Sequence, residues 1–225
     1  MAICKLASVL NLDPDGLVAS AKKAWYPQEQ RDVPGLVCFN TPYSDMTVNS
    51  YLVFDPKTKS AAAFDTGTDC DVMLKFAADN RLTIDLILLT HSHGDHIFDF
   101  DRLKAKTRAR AFICEREPVA GAETFAPGRE FEIGNLRVQT RLTSGHSRGG
   151  TTYVVTGLPR RLAIVGDAMF AGSMGGGLVS YEEALCSNRE QILSLPDDTI
   201  LCPGHGPLTT VGEEKRHNPF FASRV

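Results

Sequence analysis

Long apolar runs are missing from this 225-residue sequence. Stretches such as Leu86 to Leu89 fall far short of the roughly 20 residues needed to cross a bilayer, so no membrane partner is expected. The N-terminus also lacks a basic segment followed by a signal-type apolar core, which makes the cytoplasm the expected location. None of the six cysteines (4, 38, 70, 114, 186 and 202) forms a CxxC pair. Several sit in apolar strand-like or helical patterns, as reduced packed thiols do, and disulfides are not expected. Charge of one sign is absent too: 24 Lys and Arg face 27 Asp and Glu, a net charge of -3. The five basic residues between Arg102 and Arg110 read as the solvated face of a helix end, so nucleic acid is not an expected partner. No solenoid-type repeat is visible. With 43% hydrophobic and 23% charged residues the chain can bury one substantial core, with at most a small appendage.

That appendage is residues 1–35, an N-terminal extension with its own helix. Asp13-Pro14-Asp15-Gly16 is a start signal, Leu17, Val18, Ala21, Ala24 and Trp25 recur at helical spacing, and Pro27 stops the pattern. A packing arm, a dimer contact in a homo-oligomer, and a lid over a cleft all fit it. From Leu36 the pattern changes to short strands: Leu36 to Phe39, Val48 to Phe54 and Ser60 to Phe64. A helix over Asp69 to Asn80 presents Val72, Met73, Phe76 and Ala77 on one face. Strand Ile84 to Leu89, helix Phe98 to Lys104 and strand Ala109 to Cys114 follow. Two strands flank Gly134-Asn135 within Glu130 to Leu142, and strands Thr151 to Thr156 and Leu162 to Val165 come next. Helix Tyr181 to Leu195 and a last strand, Thr199 to Leu201, complete the order. This succession predicts a mixed α/β protein with two mixed sheets packed face to face, helices outside and loops converging on one rim.

The chemistry concentrates in those loops. Thr90 to His96 holds three imidazoles and a carboxylate, although the whole chain has only six histidines. Such ligand density at the end of a buried strand points to metal. His91 and His93 are two apart, so an extended exit sets both on one side, and Gly94 lets the backbone turn and redirect Asp95 and His96. One short loop can therefore serve two ions. His146 sits in Ser-Gly-His-Ser and His205 in Pro-Gly-His-Gly-Pro, and only His217 lacks a distinctive setting. Imidazoles with carboxylates suit Zn²⁺, Fe²⁺ or Mn²⁺ without any thiolate, and Cys202 reads as a packed thiol. The Gly172 to Gly177 loop is not a phosphate cradle, since no Lys-Ser/Thr follows. It reads instead as substrate-facing. Tyr43 to Asn49 reads equally as the opposite wall or as a structural turn.

His-Ser-His-Gly-Asp-His resembles the HxHxDH signature of the metallo-β-lactamase fold superfamily. Phe64-Asp65-Thr66-Gly67, Ser144-Gly145-His146-Ser147, Gly166-Asp167 and Pro203-Gly204-His205-Gly206-Pro207 follow that family's order, over roughly residues 36 to 210. The resemblance implies an αββα sandwich, with residues 36–225 as the catalytic domain and a binuclear centre. His91, His93 and His146 would hold the first ion, Asp95, His96 and His205 the second, and Asp167 would bridge. Two such ions, most simply zinc, would activate a shared water, and Asp95 would aim it or shuttle its proton. Asp65 either orients a ligand histidine or forms an ordinary turn.

Among branches, the chain is most similar to short glyoxalase II-like proteins, through Ser144-Gly-His-Ser-Arg-Gly-Gly, Pro203-Gly-His-Gly-Pro-Leu-Thr-Thr and Asn218-Pro-Phe-Phe. That implies hydrolysis of a small-molecule thioester or related ester. Two departures argue against glutathione as the thiol: the chain ends about twenty residues after His205, short of a glyoxalase II helical domain, and Gly172-Ser-Met-Gly-Gly-Gly lacks the usual Cys and Arg. The alternative enzyme is a mononuclear iron persulfide dioxygenase using His91, His146 and Asp167. A non-enzymatic metal-binding or regulatory module is the alternative of a different class.

Overall fold

The structure is a computed structural model that describes residues 2–222. Helices α1 (Ala2–Leu10) and α2 (Pro14–Ala21) come first. The start signal acts as expected: Asp13 accepts a hydrogen bond from the Gly16 amide at 2.6 Å and Pro14 occupies the first turn. The stop differs. The helix ends at Ala21, and Lys23 takes a left-handed φ of 52°. Trp25 is thereby turned out of the helix and stacked on His217 with ring centroids 4.9 Å apart. Tertiary stacking overrides the helical period there.

The first sheet has six strands in order β1 (Leu36–Tyr43), β2 (Met46–Phe54), β3 (Ser60–Phe64), β4 (Thr83–Leu88), β5 (Arg110–Cys114) and β6 (Glu123–Phe125). The β1–β2–β3 pairings are antiparallel, and β3 through β6 run parallel. Helices α3 (Asp71–Asp79), α4 (Gly94–Ile97) and α5 (Phe100–Thr107) lie in the connections of this half. In the second sheet β7 (Glu130–Ile133), β8 (Leu136–Leu142), β9 (Thr151–Thr156) and β10 (Leu162–Gly166) form an antiparallel meander. Strand β10 then pairs in parallel with a later one, Ile200–Pro203. A small hairpin, β11 (Met169–Phe170) with β12 (Ser173–Met174), precedes helix α6 (Tyr181–Ser187). The Ile200–Pro203 strand is thus β13, followed by β14 (Thr209–Thr210) and α7 (Val211–His217).

Strand alternation sorts the core into layers. In β4, Leu88 faces the sheet-to-sheet interface while Ile87 and Leu89 beyond it face the helices; in β10, Ile164 faces inward and Ala163 and Val165 outward. Tyr51, Phe64, Phe112, Phe131 and Tyr153 fill the space between sheets. Met73 of α3 and Leu103 of α5 cover the first sheet's outer face, and Ala184 of α6 and Val211 of α7 cover the second's. This is the αββα sandwich. Among the described residues no helix is long and apolar enough to cross a membrane.

Three expectations are corrected. The helix expected over Tyr181 to Leu195 ends as an α-helix at Ser187 and continues as a π-helical turn, Asn188–Ile192. There the buried Asn188 donates to the carbonyl of Ala168, which no exposed helical position would do. Thr199 to Leu201 is also not the last strand, since β14 pairs back on β13. A two-residue strand carries no period to read. The helix expected from Phe98 begins at Phe100, after the separate turn of α4.

Glu214 in α7 is fully buried. Its carboxyl accepts from Thr209 Oγ1 (2.7 Å), Asn218 Nδ2 (2.8 Å) and the Gly172 amide (2.9 Å). Burial outweighs these donors and pushes its pKa up to about 7 from 4.5. A carboxyl that binds its proton more tightly folded than unfolded contributes stability that is full below pH 4.5 and lost as pH rises through about 7. Glu214→Gln, whose amide can donate to Thr209, should therefore be more stable than wild type at pH 8 by roughly 1–3 kcal/mol. The two should converge near pH 5. Thermal melts across this range check it, and parallel profiles would contradict it.

Candidate metal centre

Strand β3 ends in Asp65, in the left-handed region at φ 55°, which aims its carboxylate across the end of the neighbouring β4. There Asp65 Oδ1 accepts from the Thr90 amide and Oδ2 from Thr90 Oγ1, both at 2.7 Å. Oδ2 also meets His96 Nδ1 at 2.8 Å. Asp65 is thus the orienting residue, and the left-handed turn is how it gets there. The Thr90 hydroxyl donates its one hydrogen bond to Asp65, so it accepts from His91 Nδ1 at 3.0 Å.

The same logic fixes the other rings. His146 Nδ1 lies 2.9 Å from the Gly176 carbonyl and His205 Nδ1 2.6 Å from the Thr47 carbonyl. A carbonyl oxygen only accepts, so each Nδ1 carries a proton, which leaves Nε2 as the atom that can ligate. His91, His96, His146 and His205 therefore all offer Nε2 as the ligating atom, any proton on it being displaced when metal binds.

These atoms converge on two adjacent points. His91, His93, His146 and Asp167 form one group and Asp95, His96 and His205 another, with the ligand atoms of each group within 4.8 Å of one another. Asp167, at the end of β10, faces both: its oxygens lie 3.2 Å from His96 Nε2, 3.4 Å from His205 Nε2 and 3.5 Å from His146 Nε2. Asp95 Oδ2 is 3.2 Å from His205 Nε2 and 3.6 Å from His96 Nε2. All seven residues expected at the site are brought together.

The residues fit divalent metal. His91 Nε2, His96 Nε2 and Asp167 Oδ1 are buried without a hydrogen-bond partner, which is costly unless a ligand satisfies them. Space is reserved as well: a Cβ on Gly204 would come within 2.2 Å of Asp167 Oδ1 and 2.5 Å of His96 Cε1. Electrostatics agree. Burial holds His91 well below the usual histidine range. At His96 burial pulls the same way, but the charges of Asp65 and Asp167 override it and raise the pKa to about 10. Hydrogen bonds to Asp167 and Asp95 likewise raise His205 to about 10. Asp167 is held far below the carboxylate range by His205 and His96 despite burial. With no ion bound, protons on His96 and His205 stand in for missing cationic charge.

Several positioning residues were not legible in the sequence. Glu117 accepts from the Ser92 amide (2.9 Å) and hydroxyl (2.6 Å) and from the Gly149 amide (2.8 Å). It clamps the His91–His93 loop to the His146 loop, yet it lies in a turn with no local signal. Asn49, offered as wall or turn, is structural: its Nδ2 donates to the carbonyls of Pro203 and Gly206 on either side of His205. Tyr43, edge-on to Phe98 at 6.3 Å, stays beside the metal loop, near Gly94. The Gly172 to Gly177 loop, expected to face substrate, packs behind the ligands at its centre: Gly176 receives His146, and a Cβ on Gly175 would sit 1.8 Å from the Asp167 carbonyl oxygen. The six cysteines are free, and Cys202 is buried in β13.

A two-layer sandwich with this histidine and aspartate rim defines a class. The sequence model of the metallo-beta-lactamase superfamily matches residues 43–205, and the chain belongs to that superfamily. It is 30% identical to the probable metallo-hydrolase YqgX of Bacillus subtilis (strain 168), over 80% of this chain and 95% of that one. It is 27% identical to the hydroxyacylglutathione hydrolase GloC of Haemophilus influenzae, over 81% and 97% of the two chains. Among solved structures, ETHE1 from Myxococcus xanthus superposes with a TM-score of 0.73 at 26% identity, over 84% of this chain and 86% of that one.

Asp65→Asn places an amide against donors, and Glu117→Ala frees two loops. Each should weaken metal binding by about 10- to 100-fold without unfolding the chain. Competition against a chromophoric chelator, with circular dichroism as the folding control, measures this. Unchanged affinity would remove the positioning role. Metal uptake at pH 7.5 should also release protons from His96 and His205, seen as buffer-dependent calorimetric heats.

Proposed function

We propose that the chain is a binuclear metal-dependent hydrolase acting on a thioester or related ester. One observation carries the reading: the ligand atoms form two groups rather than one, and Asp167 faces both. His91, His93 and His146 would hold one ion, Asp95, His96 and His205 the other, with Asp167 shared. Bound zinc, iron or manganese would supply Lewis acidity and a water nucleophile active near neutral pH.

The chain's own residues do the rest. Asp65, Thr90, Gly176 and the Thr47 carbonyl hold the imidazoles in one tautomer, so no reorganisation is needed during turnover. Asp95 is only slightly exposed and lies beside both His96 and His205. It is placed to orient the attacking water and carry its proton to the departing thiolate. Tyr43 and Phe98 flank the site near Gly94, giving an apolar side to the approach. The likeness to GloC supports an acyl-thioester substrate, and the likeness to YqgX supports hydrolysis in general.

The competing reading is a persulfide dioxygenase with a single iron on His91, His146 and Asp167, which share one ligand group. It leaves Asp95 and His205 without a task. The test is a panel of thioesters and esters given to the metal-loaded protein, alongside oxygen uptake with persulfides. Thioester turnover should fall at least about 10³-fold on chelation or in His91→Ala, and Asp95→Asn should lower kcat by about 10²- to 10⁴-fold. Oxygen consumption on persulfides with no thioester cleavage would overturn the proposal.

A further inference from the structure

Beside the His205 end of the metal centre lies a cavity of about 400 Å³ that the mechanism above does not use. Trp25 and Tyr26 wall it, Ala19 of α2 and Gly172 line it, and Pro207 and His217 complete it. Its size is that of a small-molecule site.

Three features mark it as a binding site for a flat apolar group. Trp25 and His217 are stacked face to face at 4.9 Å with 18° between planes, which presents a rigid aromatic wall. The lining residue Gly172 packs its backbone against the Trp25 ring, since a Cβ there would come within 3.0 Å of it, and so braces that wall. Tyr26 is 75% exposed, a large aromatic left facing water with no described ring partner.

The chain itself brings the cavity's lining near the metal centre. Pro207 is two residues beyond His205. Gly172 is two residues beyond Phe170, whose ring sits edge-on to His205 at 5.7 Å. The same segment is anchored from behind by the hydrogen bond from the Gly172 amide to Glu214 at 2.9 Å. A substrate whose carbonyl met the ligand groups would have to extend past Phe170 to reach this hollow. Residues 19 to 26, which build the outer wall, lie outside the 43–205 span that defines the superfamily match.

We infer that this cavity is the specificity pocket of the enzyme and receives an aryl group on the acyl side of the substrate. The inference rests on the hydrolase reading for its catalytic consequence, but binding in the cavity can be measured without turnover. Trp25 is the sole tryptophan of the chain, so its emission reports on the pocket directly.

The experiment titrates the full-length, metal-loaded protein with 4-phenylbutyrate and with butyrate while Trp25 emission is followed. It also compares kcat/KM for the 4-phenylbutyryl and butyryl thioesters of N-acetylcysteamine. A saturable emission change is expected with the aryl acid alone, with at least a tenfold preference for the aryl thioester. Ala19→Phe, which fills the cavity from a helical position, should abolish the emission change and reduce the preference to below twofold. Trp25→Ala should reduce the preference in the same way. An absent emission response, or a preference that survives both substitutions, overturns the inference. Thioester turnover without aryl preference rejects the pocket and leaves the hydrolase standing. An emission change that Ala19→Phe abolishes, with no thioester turnover, supports the pocket and rejects the hydrolase.

Discussion

The buried carboxylate of Asp65 is the constraint on which the metal centre depends. At 2% exposure it costs several kcal/mol to bury unless its oxygens are satisfied. The hydrogen bonds that satisfy it belong to Thr90 and His96. One group thus fixes the exit of β4, the tautomer of His96 and, through the Thr90 hydroxyl, the tautomer of His91. Parallel pairing of β3 and β4 is what brings residue 65 alongside residue 90. The sandwich core sets the register, and the register sets the chemistry.

The rest of the rim repeats that logic with backbone carbonyls. Gly176 and Thr47 hold His146 and His205, and Glu117 and Asn49 hold the loops that carry the ligands. Glycines at 175 and 204 leave room where strand exits crowd against Asp167. The outcome is a set of buried imidazoles and carboxylates crowded together, with His91 Nε2, His96 Nε2 and Asp167 Oδ1 left without hydrogen-bond partners. That arrangement is unfavourable for an empty protein and favourable around cations.

Much of this was legible from residue types alone. Ligand-dense turns singled out His91, His93, Asp95, His96, His146 and His205, and the family resemblance added Asp167; strand periods marked the two sheets because each strand alternates between two buried layers. What stayed hidden was non-local or too short. Glu117 acts across 25 residues on Ser92 and has no motif. Strand β14 has two residues and therefore no period. Trp25 continued a helical pattern in the sequence but leaves the helix to stack on His217, a contact between opposite ends of the chain. The Gly172 to Gly177 loop looked flexible by composition. Its glycines are instead demanded by close packing against Asp167 and His146, a distinction that composition cannot make.

In the proposed centre two ions share Asp167. The most direct test is metal stoichiometry by elemental analysis of saturated, dialysed protein, joined to the same measurement on His205→Ala. Two ions per wild-type chain, with one retained in the variant, is the predicted result. A single ion per wild-type chain at saturation, unaffected by loss of His205, would contradict the account.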